Sequence, residues 1–101
     1  MALEAILSAD EKSLTIKMDD KFDFGKVQDF RNAYADLPSS VKSIEVDLSD
    51  TEYMDSSALG MLLNMQKVLQ DSVTHYSITN CRPTVQKILS ISRFDKKFEI
   101  K

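Results

Sequence analysis

The 101-residue chain contains few of the residues on which many catalytic and metal sites depend: one cysteine, one histidine and two glycines. Because Cys81 stands alone, no internal disulfide can form, which fits the reducing cytoplasm. His75 is the only histidine, so a metal site of the Cys/His type is not expected. Gly25 and Gly60 lie in no phosphate-binding loop, so no nucleotide or other cofactor is expected.

Long apolar runs and an excess of positive charge are also missing. No apolar stretch approaches the roughly 20 residues that span a bilayer, and the beginning of the chain lacks the basic start and apolar core of a signal peptide. With 13 Lys and Arg against 16 Asp and Glu, the net charge of −3 argues against nucleic acid or an anionic membrane as the main partner. Length and a hydrophobic content of 43% predict one cytoplasmic domain over residues 1–101.

The spacing of apolar residues predicts strands and helices that alternate along the chain. Leu14, Ile16 and Met18 alternate with polar residues as in a strand, and Pro83 suits the first position of a helix. The predicted strands are 3–7, 14–18, 41–48 and 74–79, the predicted helices are 24–37, 56–70 and one from Pro83, and the tail 94–100 predicts a helical turn or a terminal strand. The order β-β-α-β-α-β-α predicts an α/β fold, with helices covering a mixed sheet of four to five strands.

The segment "DLSDTEYMDSSALGMLL", residues 47–63, places acids and two serines before an apolar run. A serine hydrolase is not supported, because the segment contains no G-x-S-x-G and no base lies nearby. The acids Asp47, Asp50, Glu52 and Asp55 could bind a hard cation, but they follow no EF-hand spacing. We therefore expect neither a catalytic nor a metal-binding residue in this segment.

Two interpretations of the serines remain open from the residues alone. In the first, a side-chain oxygen of Asp55 or Ser56 caps the helix, which stabilises it by on the order of 1 kcal/mol. In the second, Ser56 or Ser57 accepts a phosphate, which a helix N-terminus tolerates because of its free amides and its dipole. The added charge would lie beside Asp55 and near Asp50, so the surface would change while the fold persisted.

The helix over 56–70 predicts which residues face the core. At about 100° per residue, one stripe holds the following residues: Ala58, Met61, Leu62, Met65, Val68 and Leu69. Leu59 and Leu63 lie off this stripe. They either pack beneath a neighbouring element or form an exposed apolar pair beside the serines, as a docking surface requires.

Residues 47–63 resemble the signature of STAS domains of the anti-sigma factor antagonist type, in which a strand and an acidic loop precede Asp-Ser-Ser-Gly-Leu-Gly at a helix start. The segment "LTIKMDDKFDF" resembles the second strand of that family and its following turn. The segment "ITNCRPTVQKILSISRFDKKFEI" resembles its last strand, its proline-initiated helix and its closing segment. In two places the chain departs from the family pattern, with Ala58 and Asp20 where glycine is usual.

The resemblance implies a partner-switching mechanism. The phosphoacceptor of the family is the serine after the Asp, here Ser56, and its neighbour Ser57 is usually not modified. An anti-sigma factor with a serine-kinase ATPase domain binds the unphosphorylated protein and phosphorylates it, which lowers the affinity, and a PP2C-type phosphatase restores it. The chain would then be a binder and a substrate, not an enzyme, with Asp50, Asp55, Ser57, Leu59 and Leu63 contributing to the partner surface.

Two alternatives stay open beside this expectation. Some STAS-like domains are constitutive subunits of transport or other regulatory assemblies, with no sigma factor output. A nucleotide-binding domain is the third class, although the missing phosphate loop predicts weak binding or none.

Overall fold

A computed structural model describes residues 3–101 of the chain. Its seven strands are β1 (Glu4–Leu7), β2 (Ser13–Lys17), β3 (Lys21–Phe22), β4 (Ser43–Asp47), β5 (Tyr53–Met54), β6 (His75–Thr79) and β7 (Glu99–Ile100). Its three α-helices are α1 (Val27–Ala33), α2 (Ser56–Leu69) and α3 (Pro83–Ile91), with 3-10 turns at Phe24–Lys26 and Phe94–Lys96.

The main sheet has five strands in the order β1-β2-β4-β6-β7. Strand β1 pairs antiparallel with β2, and the remaining pairs are parallel, so the sheet is mixed as the sequence predicts. In register, Leu14 of β2 lies beside Ile44 of β4, which lies beside Tyr76 of β6. The carboxyl ends of β2, β4 and β6 therefore meet at one edge of the sheet, where binding sites of parallel sheets usually lie.

One face of the sheet carries the core. The alternating apolar residues of β2 and β4, including Ile16 and Val46, are fully buried, and their neighbours are only half-buried. Buried residues of all three helices pack against that face in one cluster, which includes Phe30, Leu62 and Leu89. Each such side chain contributes roughly 1.5–3 kcal/mol by its burial, so this cluster positions the helices.

The structure contains two short strands, β3 and β5, that the predicted order of elements lacks. Strands β3 and β5 pair in parallel as a separate two-stranded sheet, in segments predicted as a turn and an acidic loop. A strand of two residues has no periodicity, which is why the apolar pattern does not reveal it. The helix predicted over 24–37 is also shorter: a 3-10 turn precedes α1, which ends at Ala33.

The predicted core stripe of α2 is correct except at one position. Ala58, Leu62 and Met65 are buried, whereas Val68 is 60% exposed. Val68 lies at one edge of the predicted stripe, about 60° from its centre, and it is not part of the core cluster found among residues 3–101. The prediction that Val68 faces the core is therefore wrong.

Candidate functional site

The loop of residues 48–55, here called the acidic loop, connects β4 to α2 at the carboxyl edge of the sheet. It contains β5, whose pairing with β3 aligns Tyr53 with Lys21 and Met54 with Phe22. Phe22 and Met54 are buried, at 0% and 3% exposure. The small sheet thus fixes the chain immediately before the first residue of α2.

Backbone carbonyls after β2 hold the acidic loop in place. The Thr51 hydroxyl donates a 2.8 Å hydrogen bond to the carbonyl of Asp19, and both residues are buried. The carbonyl of Asp20 accepts from the backbone N–H groups of Glu52 and Tyr53, at 2.9 and 3.2 Å. The loop is therefore anchored through its backbone, and the side chains of Asp50 and Glu52 remain exposed.

The first turn of α2 uses Asp55 as its cap. The Asp55 carboxylate accepts a 3.0 Å hydrogen bond from the backbone N–H of Ser57, and its extended backbone is typical of a cap. The carbonyl of Asp55 accepts from the N–H of Ala58 at 3.1 Å. Ser56 is the first residue of the helix and is exposed, and Ser57 is half-buried. Of the two capping candidates, the structure thus uses Asp55, and the cap does not occupy the Ser56 hydroxyl.

A second carboxylate stabilises the turn after β4. Asp47 accepts a 2.8 Å hydrogen bond from the backbone N–H of Ser49. Partial burial of Asp47 opposes its ionisation, but hydrogen bonds from Ser49 and Asn80 and the Lys17 charge outweigh burial and lower the pKa of Asp47. The loop thus begins at an ionised carboxylate that is already hydrogen-bonded.

Lysines pair with two further acids at the same edge. The Lys26 ammonium lies 3.0 Å from the Asp19 carboxylate, which is buried, and the hydrogen bond to Asp19 raises the pKa of Lys26. Lys17 lies 3.6 Å from Asp50, where both side chains are exposed and the attraction is weak. The first pair ties the beginning of α1 to the end of β2.

The predicted docking leucines have different environments. Leu59 is half-buried and packs against the core cluster, whereas Leu63 is 36% exposed. Leu63 lies seven residues after Ser56, about two helical turns, and therefore on the same face of α2. Of the two leucines, only Leu63 is therefore an exposed apolar residue on the face of α2 that carries Ser56.

The two departures from the family pattern cause no strain. Asp20 is not among the non-glycine residues with positive φ, which within residues 3–101 are Glu11, Asn80 and Arg93. Ala58 is fully buried inside α2 and propagates a helix better than glycine.

Several residues that build this site could not be predicted from local sequence pattern. Thr51 and Asp19 are 32 residues apart, and a side chain that bonds a distant carbonyl leaves no local pattern. The ion pair between Lys26 and Asp19 likewise depends on how the chain before α1 packs against the end of β2. The signals that sequence did carry are the Asp-Ser-Ser step and the apolar stripe of α2.

Within residues 3–101, no group of three or more His, Cys, Asp or Glu side chains is arranged to hold a metal ion. No helix in the same range has the length and apolar character to cross a membrane.

Comparison with known proteins gives the following similarities. A family model described as "Mlab, STAS domain" matches residues 6–100. A STAS-domain containing protein of Pseudomonas aeruginosa (strain UCBPP-PA14) is 45% identical over 100 residues, covering 99% of both chains.

Solved structures of lower identity share the fold. The unphosphorylated anti-sigma factor antagonist SpoIIAA superposes with a TM-score of 0.80 at 20% identity, over 99% of this chain and 88% of that chain. The phosphorylated form of SpoIIAA, a Bacillus cell fate determinant, gives 0.73 at 20% identity, over 99% and 91%. A sulfate transporter family protein from Wolinella succinogenes gives 0.74 at 11% identity, over 90% and 73%.

Proposed function

The chain belongs to the STAS-domain family, and we propose that it is an anti-sigma factor antagonist whose partner binding is controlled by phosphorylation of Ser56. The observation that carries this proposal is the exposed Ser56 at the first position of α2, next to a cap supplied by Asp55. Residues 1–101 form one such domain, located in the cytoplasm.

A phosphate on Ser56 would change the surface and leave the fold intact. At a helix N-terminus the phosphate meets the positive end of the dipole, so α2 tolerates it. It adds roughly −1.5 to −2 charges at pH 7 beside Asp55 and the exposed Asp50. A partner that docks on this face then meets a strong new negative charge and is released.

The solved relatives support this proposal through their fold. SpoIIAA is an anti-sigma factor antagonist that has been solved in phosphorylated and unphosphorylated forms. The same overall fold therefore accommodates a protein that undergoes phosphorylation.

The partners of the switch follow from the family. An anti-sigma factor with a serine-kinase ATPase domain binds the unphosphorylated form and supplies ATP and the catalytic base, and a PP2C-type phosphatase removes the phosphate. The chain is a substrate and binder with no enzymatic activity of its own. Its contact surface comprises Asp50, Asp55, Ser57, Leu59 and Leu63 around Ser56, of which Leu59 is half-buried.

The decisive experiment is phosphate mapping by intact mass on the chain recovered with its bound proteins from native cells. We expect one phosphate on Ser56 and co-recovery of a serine kinase with the unphosphorylated form. The Ser57→Ala variant should still carry the phosphate, whereas Ser56→Ala should not. A phosphate that stays on the Ser56→Ala variant, or no phosphate in the wild type, would contradict the switch.

A second function is favoured by two of the comparisons. The matching family model is described as "Mlab, STAS domain", and a sulfate transporter family protein shares the fold. A constitutive subunit of a transport assembly would co-purify with a transporter ATPase and carry no phosphate on Ser56. The same mass measurement therefore separates the two functions.

A further inference from the structure

Gly60, one turn after Ser56 in α2, has no structural reason to be glycine. Its φ is not positive, and a Cβ built on it would meet no atom within 4 Å other than its chain neighbours and the backbone of its own helix turn. In a helix interior, glycine is less favourable than alanine by roughly 0.5–1 kcal/mol. Neither backbone geometry nor packing inside the protein accounts for this cost, whereas a close approach by another molecule would.

Gly60 borders a groove between α1 and α2, which also contains Ser57. Phe24, on one side of this groove, is 74% exposed, although large aromatic side chains are usually buried. The groove has a volume of about 260 Å³. This is below the roughly 300–1,000 Å³ of pockets that hold small molecules, so it suits one or two side chains of a protein.

Among the residues that the structure describes, Arg31 is the only charged one that lines the groove. It takes part in none of the ion pairs found among residues 3–101. An unpaired guanidinium beside an apolar groove matches a carboxylate, which it can bind through two parallel hydrogen bonds. The acidic loop, which precedes Ser56 in the chain, instead carries the exposed acids Asp50 and Glu52.

We propose that the α1–α2 groove docks a segment of the serine kinase that binds the unphosphorylated form, with an apolar side chain against Phe24 and Gly60 and a carboxylate on Arg31. This inference rests on the proposed function, because a kinase that reaches Ser56 must cover the adjoining surface. The bare backbone at Gly60 lets that segment approach α2 closely. The groove thus adds a docking site beside the first turn of α2, where Ser57 lines it.

The first test fills the groove without harming the fold. The Gly60→Leu variant places its Cβ in open space, and leucine favours a helix over glycine, so its thermal midpoint should equal or exceed that of the wild type. Its Kd for the purified kinase recovered from native cells should rise by about tenfold or more, as expected for a central interface position. The matched control is Gln86→Leu on an exposed position of α3 outside the groove, which should change the Kd by less than about twofold.

The second test reverses the charge. Arg31→Glu should raise the Kd by about tenfold, and Lys87→Glu on α3, with the same change in net charge, should leave it near the wild-type value. In a phosphorylation assay, Gly60→Leu should raise KM for the chain and leave kcat nearly unchanged, because the groove binds the kinase without touching the transferred phosphate.

The outcomes separate the two proposals. If the kinase binds the wild type and both groove variants equally, the groove is not the docking site and the Ser56 switch stands. If no kinase accompanies the wild type and Ser56 carries no phosphate, the proposed function fails and the groove assignment fails with it.

Discussion

The hydroxyl of Thr51 and the backbone carbonyl of Asp19 are joined by a buried hydrogen bond of 2.8 Å across 32 residues of sequence. Thr51 is fully buried, and its backbone N–H donates to Leu48, so both of its donors are used. This contact connects the acidic loop to the end of β2. It determines where the loop lies and, through β5, where α2 begins.

Replacing Thr51 by valine tests that connection. The side chain keeps its shape, but the Asp19 carbonyl loses its donor, and an unsatisfied buried group costs about 1–3 kcal/mol. We expect the thermal midpoint to fall by about 4–8 °C for each kcal/mol lost in a domain of this size. The control Thr84→Val, at an exposed position of α3, should change the midpoint little. Equal midpoints for the two variants would show that the hydrogen bond does not hold the loop.

The Asp55 cap and the Asp55 charge can be separated by two substitutions. Asp55→Ala removes the acceptor for the Ser57 N–H and should lower the free energy of unfolding by about 1 kcal/mol. Asp55→Asn keeps an oxygen acceptor and, as a good capping residue, should cost only a few tenths of a kcal/mol. Urea unfolding measures both variants, and an equal loss for alanine and asparagine would assign the stabilisation to charge alone.

The lowered pKa of Asp47 predicts part of the loss of protein stability in acid. Its pKa in the folded protein is lowered from the ordinary value of 3.8, so its contribution is present above that value and is lost as the pH falls through the folded pKa. Asp47→Asn should therefore be less stable than the wild type at pH 7, and the difference should shrink below pH 3.8. Urea unfolding across this range measures it. A difference that stays constant with pH would mean that the ionised carboxylate contributes nothing.

The sequence predicts those parts of the fold in which apolar residues recur at a regular spacing. Leu14, Ile16 and Met18 of β2 alternate, and the helix at Ser56 begins and ends within one residue of its predicted bounds. The predicted STAS resemblance is confirmed by the family match and by the shared fold. These features depend on local pattern, which the sequence displays directly.

The remaining features depend on contacts between distant segments. Strands β3 and β5 are two residues each, and Lys26 reaches Asp19 only because α1 folds back to the end of β2. Val68 lies at the edge of the predicted apolar stripe of α2 and is 60% exposed, because burial at the edge of a stripe depends on which neighbouring element covers it. Leu59 falls off the stripe and still packs against the core.

The switch itself predicts opposite effects of two substitutions at Ser56. Ser56→Ala cannot accept a phosphate and should keep the kinase bound whether or not ATP is present, since the exposed hydroxyl is not needed for the helix cap. Ser56→Glu places one negative charge at the same position and should weaken binding, although less than phosphate with its roughly −1.5 to −2 charges. The measurement is the Kd for the purified kinase, and Ser90→Ala, at an exposed position of α3, serves as the control. Loss of binding by a folded Ser56→Ala variant, with circular dichroism unchanged, would refute the switch.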